Sequence, residues 1–255
     1  MSLGPFKIAV APMRETAFQK PAPQCPLGLA GPAQRIGTTD SANLWLVGVS
    51  NEDGPPPGQM SLLSQDERDR ADRFHFAVDR TRFILARAAL RTLVGQAAGQ
   101  APEEIEFSTG PYGKPGLKGR PDLHFNVSHS GALALIGISS ERPIGVDIEI
   151  IRENMDELAL ARTFFCEDEF AFLSALDAPA RLRAFYKIWT CKEAVLKAFG
   201  VGISTNLKDF SVELTQDGVK IHPTSACFTP ALAMTRIEPI EVPAGYAGTL
   251  ALAGL

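Results

Sequence analysis

Apolar residues recur at helical spacing in "RTRFILARAALRTLVGQAAG" (80–99), where Phe83, Ala86, Leu90, Leu93 and Ala97 share one stripe, so the pattern predicts an amphipathic helix. The period changes to two in "IGVDIEII" (144–151). There Ile144, Val146, Ile148 and Ile150 fall on one face of a strand, and Asp147 and Glu149 on the other. Short apolar runs bounded by Gly, Pro, Ser or Asn predict further strands in "NLWLVGVS" from Asn43, "LHFNVSHSG" and "ALALIGIS", the last joined to 144–151 by "SERP". "EIEFSTGPYGKPGL" reads as a strand and a Gly/Pro turn, and "SLLSQDERDRADRF" opens at Ser61 and turns helical. Helices are expected at about 153–175 and 178–199, followed by strands around "FSVEL", "KIHP", "MTRIEP" and "GYAGTLALAG". Residues 12–40 are rich in Pro, Gly and Ala without periodicity, and read as an irregular extension. The expected fold class is α+β, with an extension over 1–42 and two halves, 43–143 and 144–255, meeting near Pro143.

Composition narrows the functions. The 255 residues, 45% hydrophobic and 21% charged, suit one large domain or two small ones. A net charge of −4 opposes a general nucleic-acid binder. Cys25, Cys166, Cys191 and Cys227 are too far apart in sequence for zinc or redox motifs, which points to a reducing, cytoplasmic setting. No apolar run approaches the roughly 18 residues of a membrane span, and the N-terminus lacks the pattern of an export signal.

Three features carry chemistry. Asp147 and Glu149 project side by side, which suits either an exposed polar edge or a divalent cation held by carboxylates, waters and phosphates. In "YKIWTCKEAVLKAFG", Trp189, Glu193 and Lys197 recur every four residues, so a charged face runs along an otherwise buried helix. Burying those charges requires partners. Glu193 could join Asp147 and Glu149 as a third metal ligand, or form a surface pair with Lys197. Finally, Arg68, Arg70, Arg73, Arg80, Arg82, Arg87 and Arg91 crowd one segment, Lys114 lies in a turn, and Asn126, Ser128, His129 and Ser130 cluster at a strand end. The arginines could form a salt-bridged solvated face, and planar guanidinium groups also suit bidentate phosphate contacts. His75, His124 and His222 read as structural hydrogen-bonding residues.

The ordered series "GKP" (113–115), "FNVSHS" (125–130), "IGVDIE" (144–149), "RTFFCEDE" (162–169) and "WTCKEAVLKAFG" (189–200) closely resembles the 4′-phosphopantetheinyl transferases, in their monomeric Sfp-type branch. The resemblance covers roughly residues 43–220. It implies two similar halves related by pseudo-twofold symmetry, with coenzyme A bound in the cleft between them. It also implies transfer of the phosphopantetheine arm of coenzyme A to a serine of an apo acyl, peptidyl or aryl carrier protein, releasing adenosine 3′,5′-bisphosphate. By the same resemblance Asp147, Glu149 and Glu193 hold Mg²⁺, with Mn²⁺ as the other candidate ion. Glu193 is the base for the carrier serine and Lys197 stabilises charge on the pyrophosphate. Lys114, Ser128 and His129, with Arg82 and Arg70 upstream, contact the adenosine and its 3′-phosphate. The alternative is a non-catalytic module of the same fold that binds coenzyme A or a carrier protein. Neither a nucleic acid nor a membrane is an expected partner, and a monomer is expected.

Overall fold

A computed structural model of the chain describes residues 33–39, 42–50, 53–110, 112–201, 207–225 and 232–254. The N-terminal half runs β1 (Gln34–Thr39), β2 (Ala42–Gly48), α1 (Gln65–Ala71), α2 (Ala77–Ala98), β3 (Phe107–Thr109), β4 (Pro115–Leu117), β5 (His124–Ser130) and β6 (Leu133–Ser139). The C-terminal half runs β7 (Ile144–Ile150), α3 (Glu157–Phe164), α4 (Glu167–Ser174), α5 (Ala178–Phe199), β8 (Phe210–Thr215), β9 (Gly218–Pro223), β10 (Arg236–Pro239) and β11 (Tyr246–Leu252). The fold is α+β: sheets β1-β2-β6-β5 and β10-β11-β7 are each covered by a 22-residue helix, α2 and α5 respectively. Hairpins β3-β4 and β8-β9 complete it, and every strand pair is antiparallel. No helix among the described residues is long and apolar enough to cross a membrane.

Hydrophobic pattern explains the layering. The isoleucine face of β7 does not meet its own helix. Ile144, Val146 and Ile148, all fully buried, pack with Leu44, Leu133 and Leu135 of the first sheet, so the two sheets face each other across an apolar layer. Full burial of each such side chain contributes about 1.5–3 kcal/mol. The other face of β7, bearing Asp147 and Glu149, is thereby left for α5. Gly145 permits the close approach of that helix: a Cβ there would stand 2.0 Å from Ala194 O and 2.4 Å from Ala198 N.

Helix boundaries follow from their caps. Asp177 Oδ1 accepts a hydrogen bond from Ala180 N at 2.9 Å, Pro179 occupies the first turn, and Gly200 ends α5 in the left-handed region at φ 68°. At α1, Ser64 and not Ser61 is the cap: its Oγ accepts from Glu67 N, and Glu67 Oε2 accepts from Ser64 N. Residues 60–62 form a separate 3₁₀ turn.

Two expectations are corrected. The helix expected over 153–175 is two, because Phe165 is extended (φ −100°, ψ 163°) to bury its ring, and Cys166 then caps a new helix. The extension ending at residue 42 contains a strand, β1, which pairs with β2 through a register shift between Arg35 and Gly37. Its low periodicity reflects that bulge and an edge position. The rest of the extension, 1–32, lies outside the described residues.

Candidate active site

Helix α5 distributes its polar residues to different partners. Trp189 stacks on Phe185 (5.8 Å between ring centroids) and meets Phe164 edge-on (5.9 Å), which braces the helix against α3. Lys192, fully buried, donates to Leu207 O and Phe210 O at 2.6 Å each and lies 3.0 Å from Glu169 Oε1. Glu169 also accepts from Cys166 N and Val212 N, so this lysine fastens α5 to α4 and β8. Glu193 and Lys197 turn instead toward β7.

There Lys197 Nζ lies 2.6 Å from Asp147 Oδ1 and donates to Ser128 Oγ at 3.1 Å. Ser128 Oγ in turn donates to Asp147 Oδ1 at 2.7 Å. Both partners of Asp147 converge on the same oxygen, leaving buried Oδ2 without a hydrogen-bond partner. Glu149 accepts from Ser130 Oγ at 2.7 Å. Burial, reinforced by the Asp147 charge, pushes Glu149 up to about 7. Burial also raises Glu193 to about 7; Lys197 opposes this, and Asp147 and Glu149 add to it. Burial would lower Lys197, but the charges of Asp147 and Glu193 outweigh it and hold the ammonium above its usual range.

Three carboxylates thus surround a single ammonium. The unpartnered Asp147 Oδ2 and the elevated Glu149 and Glu193 mark a deficit of positive charge, and an all-oxygen donor set fits a hard divalent cation. The three are not drawn into one tight cage. Among the described residues, the trio of metal-ligand side chains whose donor atoms lie within 4.8 Å of one another is Cys166, Asp168 and Glu169. That trio is a poor ion site, because Glu169 is already paired with Lys192 and burial raises the Cys166 thiol to about 11.

A cationic group lies beside the acids. Loss of solvent around its ring, then the charges of Lys197, Arg82 and Arg70, hold His129 below the usual histidine range. Arg82 Nη1 lies 3.3 Å from Asp79 Oδ1, while its buried Nε has no hydrogen-bond partner. Exposed Arg70 lies with its guanidinium carbon 5.1 Å from the centre of the Phe83 ring. Lys114 is placed differently, with Nζ donating to Ala198 O at 2.7 Å and Ile144 O at 3.0 Å.

Several polar residues that suggested ligand contacts are used by the fold. Asn126 Oδ1 accepts from Val146 N at 2.9 Å and Ser130 Oγ from Ile150 N at 3.1 Å, so alternate side chains of β5 satisfy amides on the edge of β7. Arg87 and fully buried Arg91 both bind Glu67, and Arg91 also donates to Pro102 O and Ile105 O. Reading the sequence by segments missed the Lys192–Glu169 pair. A lysine between Cys191 and Glu193 on a buried helix, and a glutamate three residues after a helix cap, were the signals that could have found it.

The C-terminal half supplies Asp147, Glu149, Glu193 and Lys197 to the seam, and the N-terminal half supplies Ser128, His129 and Arg82. The family model described as 4′-phosphopantetheinyl transferase superfamily matches residues 143–235, and that described as 4′-phosphopantetheinyl transferase, N-terminal, matches residues 58–141. The 4′-phosphopantetheinyl transferase HetI of Nostoc sp. is 34% identical over 204 residues, 79% of this chain and 84% of its own. The 4′-phosphopantetheinyl transferase Sfp of Bacillus subtilis is 37% identical over 159 residues, 62% of this chain and 70% of its own. A Synechocystis sp. relative is 42% identical over 153 residues, 59% of this chain and 62% of its own. The chain belongs to the 4′-phosphopantetheinyl transferase family.

Proposed function

We propose that this protein transfers the 4′-phosphopantetheine arm of coenzyme A to a serine of an apo acyl, peptidyl or aryl carrier protein, releasing adenosine 3′,5′-bisphosphate, with Mg²⁺ or Mn²⁺ as cofactor. The observation that carries this reading is the convergence of Asp147, Glu149 and Glu193 around Lys197, beside His129 and Arg82. Asp147, Glu149 and Glu193 would hold the ion, which when bound would neutralise the pyrophosphate oxygens.

The chain's own side chains account for the remaining work. A serine hydroxyl attacks only as its proton is accepted, and the Glu193 carboxylate is suited to take it directly or through a water. Lys197 stabilises charge developing on the leaving phosphate, in a setting where burial strengthens the interaction. Ser128 orients both Lys197 and Asp147. His129, Arg82 and Arg70 receive the adenosine and its 3′-phosphate. A monomer suffices, because one chain supplies both the acids and the cations. Free Cys166 and Cys191 suit a reducing cytoplasm.

The test is the intact mass of an apo carrier protein incubated with the protein, coenzyme A and Mg²⁺. A gain of one phosphopantetheine that requires both the metal and the acceptor serine supports the reading. Absence of a gain across acyl, peptidyl and aryl carriers overturns it.

A further inference from the structure

Helix α1 has seven residues, too few to hold its shape without tertiary partners. Two contacts fix it on α2. Buried Ala71 packs with Ile84 and Ala88, and buried Glu67, one turn earlier on the same face, enters between Arg87 and Arg91. Glu67 Oε1 accepts from Arg87 Nε at 2.7 Å, while Oε2 accepts from Arg91 Nε at 2.5 Å and from Ser64 N at 3.0 Å. Arg91 carries the tie onward through Nη1, which donates to Pro102 O and Ile105 O. Burial opposes ionisation of Glu67, but the Arg87 charge and the hydrogen bonds from Ser64, Arg91 and Arg87 outweigh it and hold the carboxyl below its usual range. The carboxylate is therefore a charged fastening between the two helices.

Arg70 is what this fastening carries. It follows Glu67 by three residues, and its guanidinium carbon lies 5.1 Å from the centre of the Phe83 ring, beside Arg82 in the chain. Both arginines reach the same place: after loss of solvent, the charges of Lys197, Arg82 and Arg70 depress His129. Arg82 also keeps a buried Nε without a hydrogen-bond partner. Cations gathered from two helices and a strand end repel one another and suit an anion placed among them. With that anion absent, Glu67 resists the repulsion from the far side of α1.

We infer that Glu67 is a positioning residue for the 3′-phosphate of coenzyme A: clamped between Arg87 and Arg91, it seats α1 so that Arg70 faces the same anion as Arg82 and His129. The inference rests on the reading of those three residues as the 3′-phosphate subsite.

The test measures the Kd of coenzyme A and of 3′-dephospho-coenzyme A by calorimetry in wild type, Glu67→Gln, Arg70→Met and the double variant. In Glu67→Gln an amide nitrogen replaces one oxygen and faces other donors, so the clamp opens without a change of volume. Coenzyme A binding weakens about fivefold or more, and 3′-dephospho-coenzyme A binding stays within about twofold of wild type. The double variant binds coenzyme A within about twofold of Arg70→Met, because a residue that acts through Arg70 adds nothing once Arg70 is gone. Arg87→Met leaves Glu67 paired with Arg91 and strands no buried charge. It shows the same selective loss at smaller size, and carries the test alone if Glu67→Gln does not fold. Equal weakening toward both ligands, unchanged binding of coenzyme A, or losses that multiply in the double variant would each overturn the clamp. A wild type that binds the two ligands alike would overturn the 3′-phosphate subsite and the clamp with it. A wild type that prefers coenzyme A but modifies no carrier would overturn the transferase reading only, since the titrations need no turnover.

Discussion

Lys197 Nζ lies 2.6 Å from Asp147 Oδ1, and this ion pair spans the contact between α5 and β7 at the point where both halves of the molecule meet. Ser128 of β5 touches both partners, so three elements depend on one oxygen. Asp147→Asn keeps the shape and removes the charge. It is expected to lower transfer at least about a hundredfold, as loss of a preorganised electrostatic group does, while circular dichroism stays native. Near-normal transfer by this variant would remove Asp147 from the site.

The buried pair Lys192–Glu169 makes a contrasting prediction about stability. Glu169→Ala strands a fully buried ammonium, and breaking such a pair costs about 3–5 kcal/mol. Lys192→Met is expected to cost less, because Glu169 keeps Cys166 N and Val212 N as donors. Urea denaturation of the two variants measures the difference. Equal midpoints would mean that Lys192 contributes mainly through its bonds to Leu207 O and Phe210 O.

These two lysines show what a sequence reveals and what it hides. The limits of α5 were legible because Asp177, Pro179 and Gly200 are local signals. The opposed faces of β7 were legible because period two needs no tertiary information. The partner of each face was not: the isoleucines bury against the other sheet, a long-range choice. Likewise Asn126, Ser128 and Ser130 are alike in the sequence as polar residues at a strand end. Only their partners in the fold separate Asn126, which binds the Val146 amide, from Ser128, which binds Asp147 and Lys197, and from Ser130, which binds both the Ile150 amide and Glu149.

Gly145→Ala is expected to be the most damaging of the small changes around the site. Its methyl would fall 2.0 Å from Ala194 O, which is backbone and cannot rotate away. Overpacking of this kind costs about 1–3 kcal/mol, and the helix must move from Asp147 to relieve it. Both Tm and kcat should fall, whereas Gly37→Ala, with nothing within 4 Å of its added methyl, should leave both unchanged. A Gly145→Ala enzyme with wild-type kcat would show that α5 does not need this approach for chemistry.

His129 carries the prediction for pH. Its folded pKa lies below the ordinary value of 6.5, through loss of solvent and the charges of Lys197, Arg82 and Arg70. The sign is fixed by that direction. A depressed histidine is neutral at pH 7, and its contribution to stability is lost as pH falls through about 6.5 toward the folded pKa. An anionic 3′-phosphate placed against it reverses the balance by favouring the imidazolium, so binding takes up a proton. Coenzyme A should therefore bind more tightly as pH falls from 7.5 to about 6, by up to severalfold. The comparison with 3′-dephospho-coenzyme A, which should show a flatter profile, separates this effect from titration elsewhere in the site. His129→Ala should abolish the difference between the two ligands' pH profiles. If that difference persists in the variant, His129 is not the group that takes up the proton.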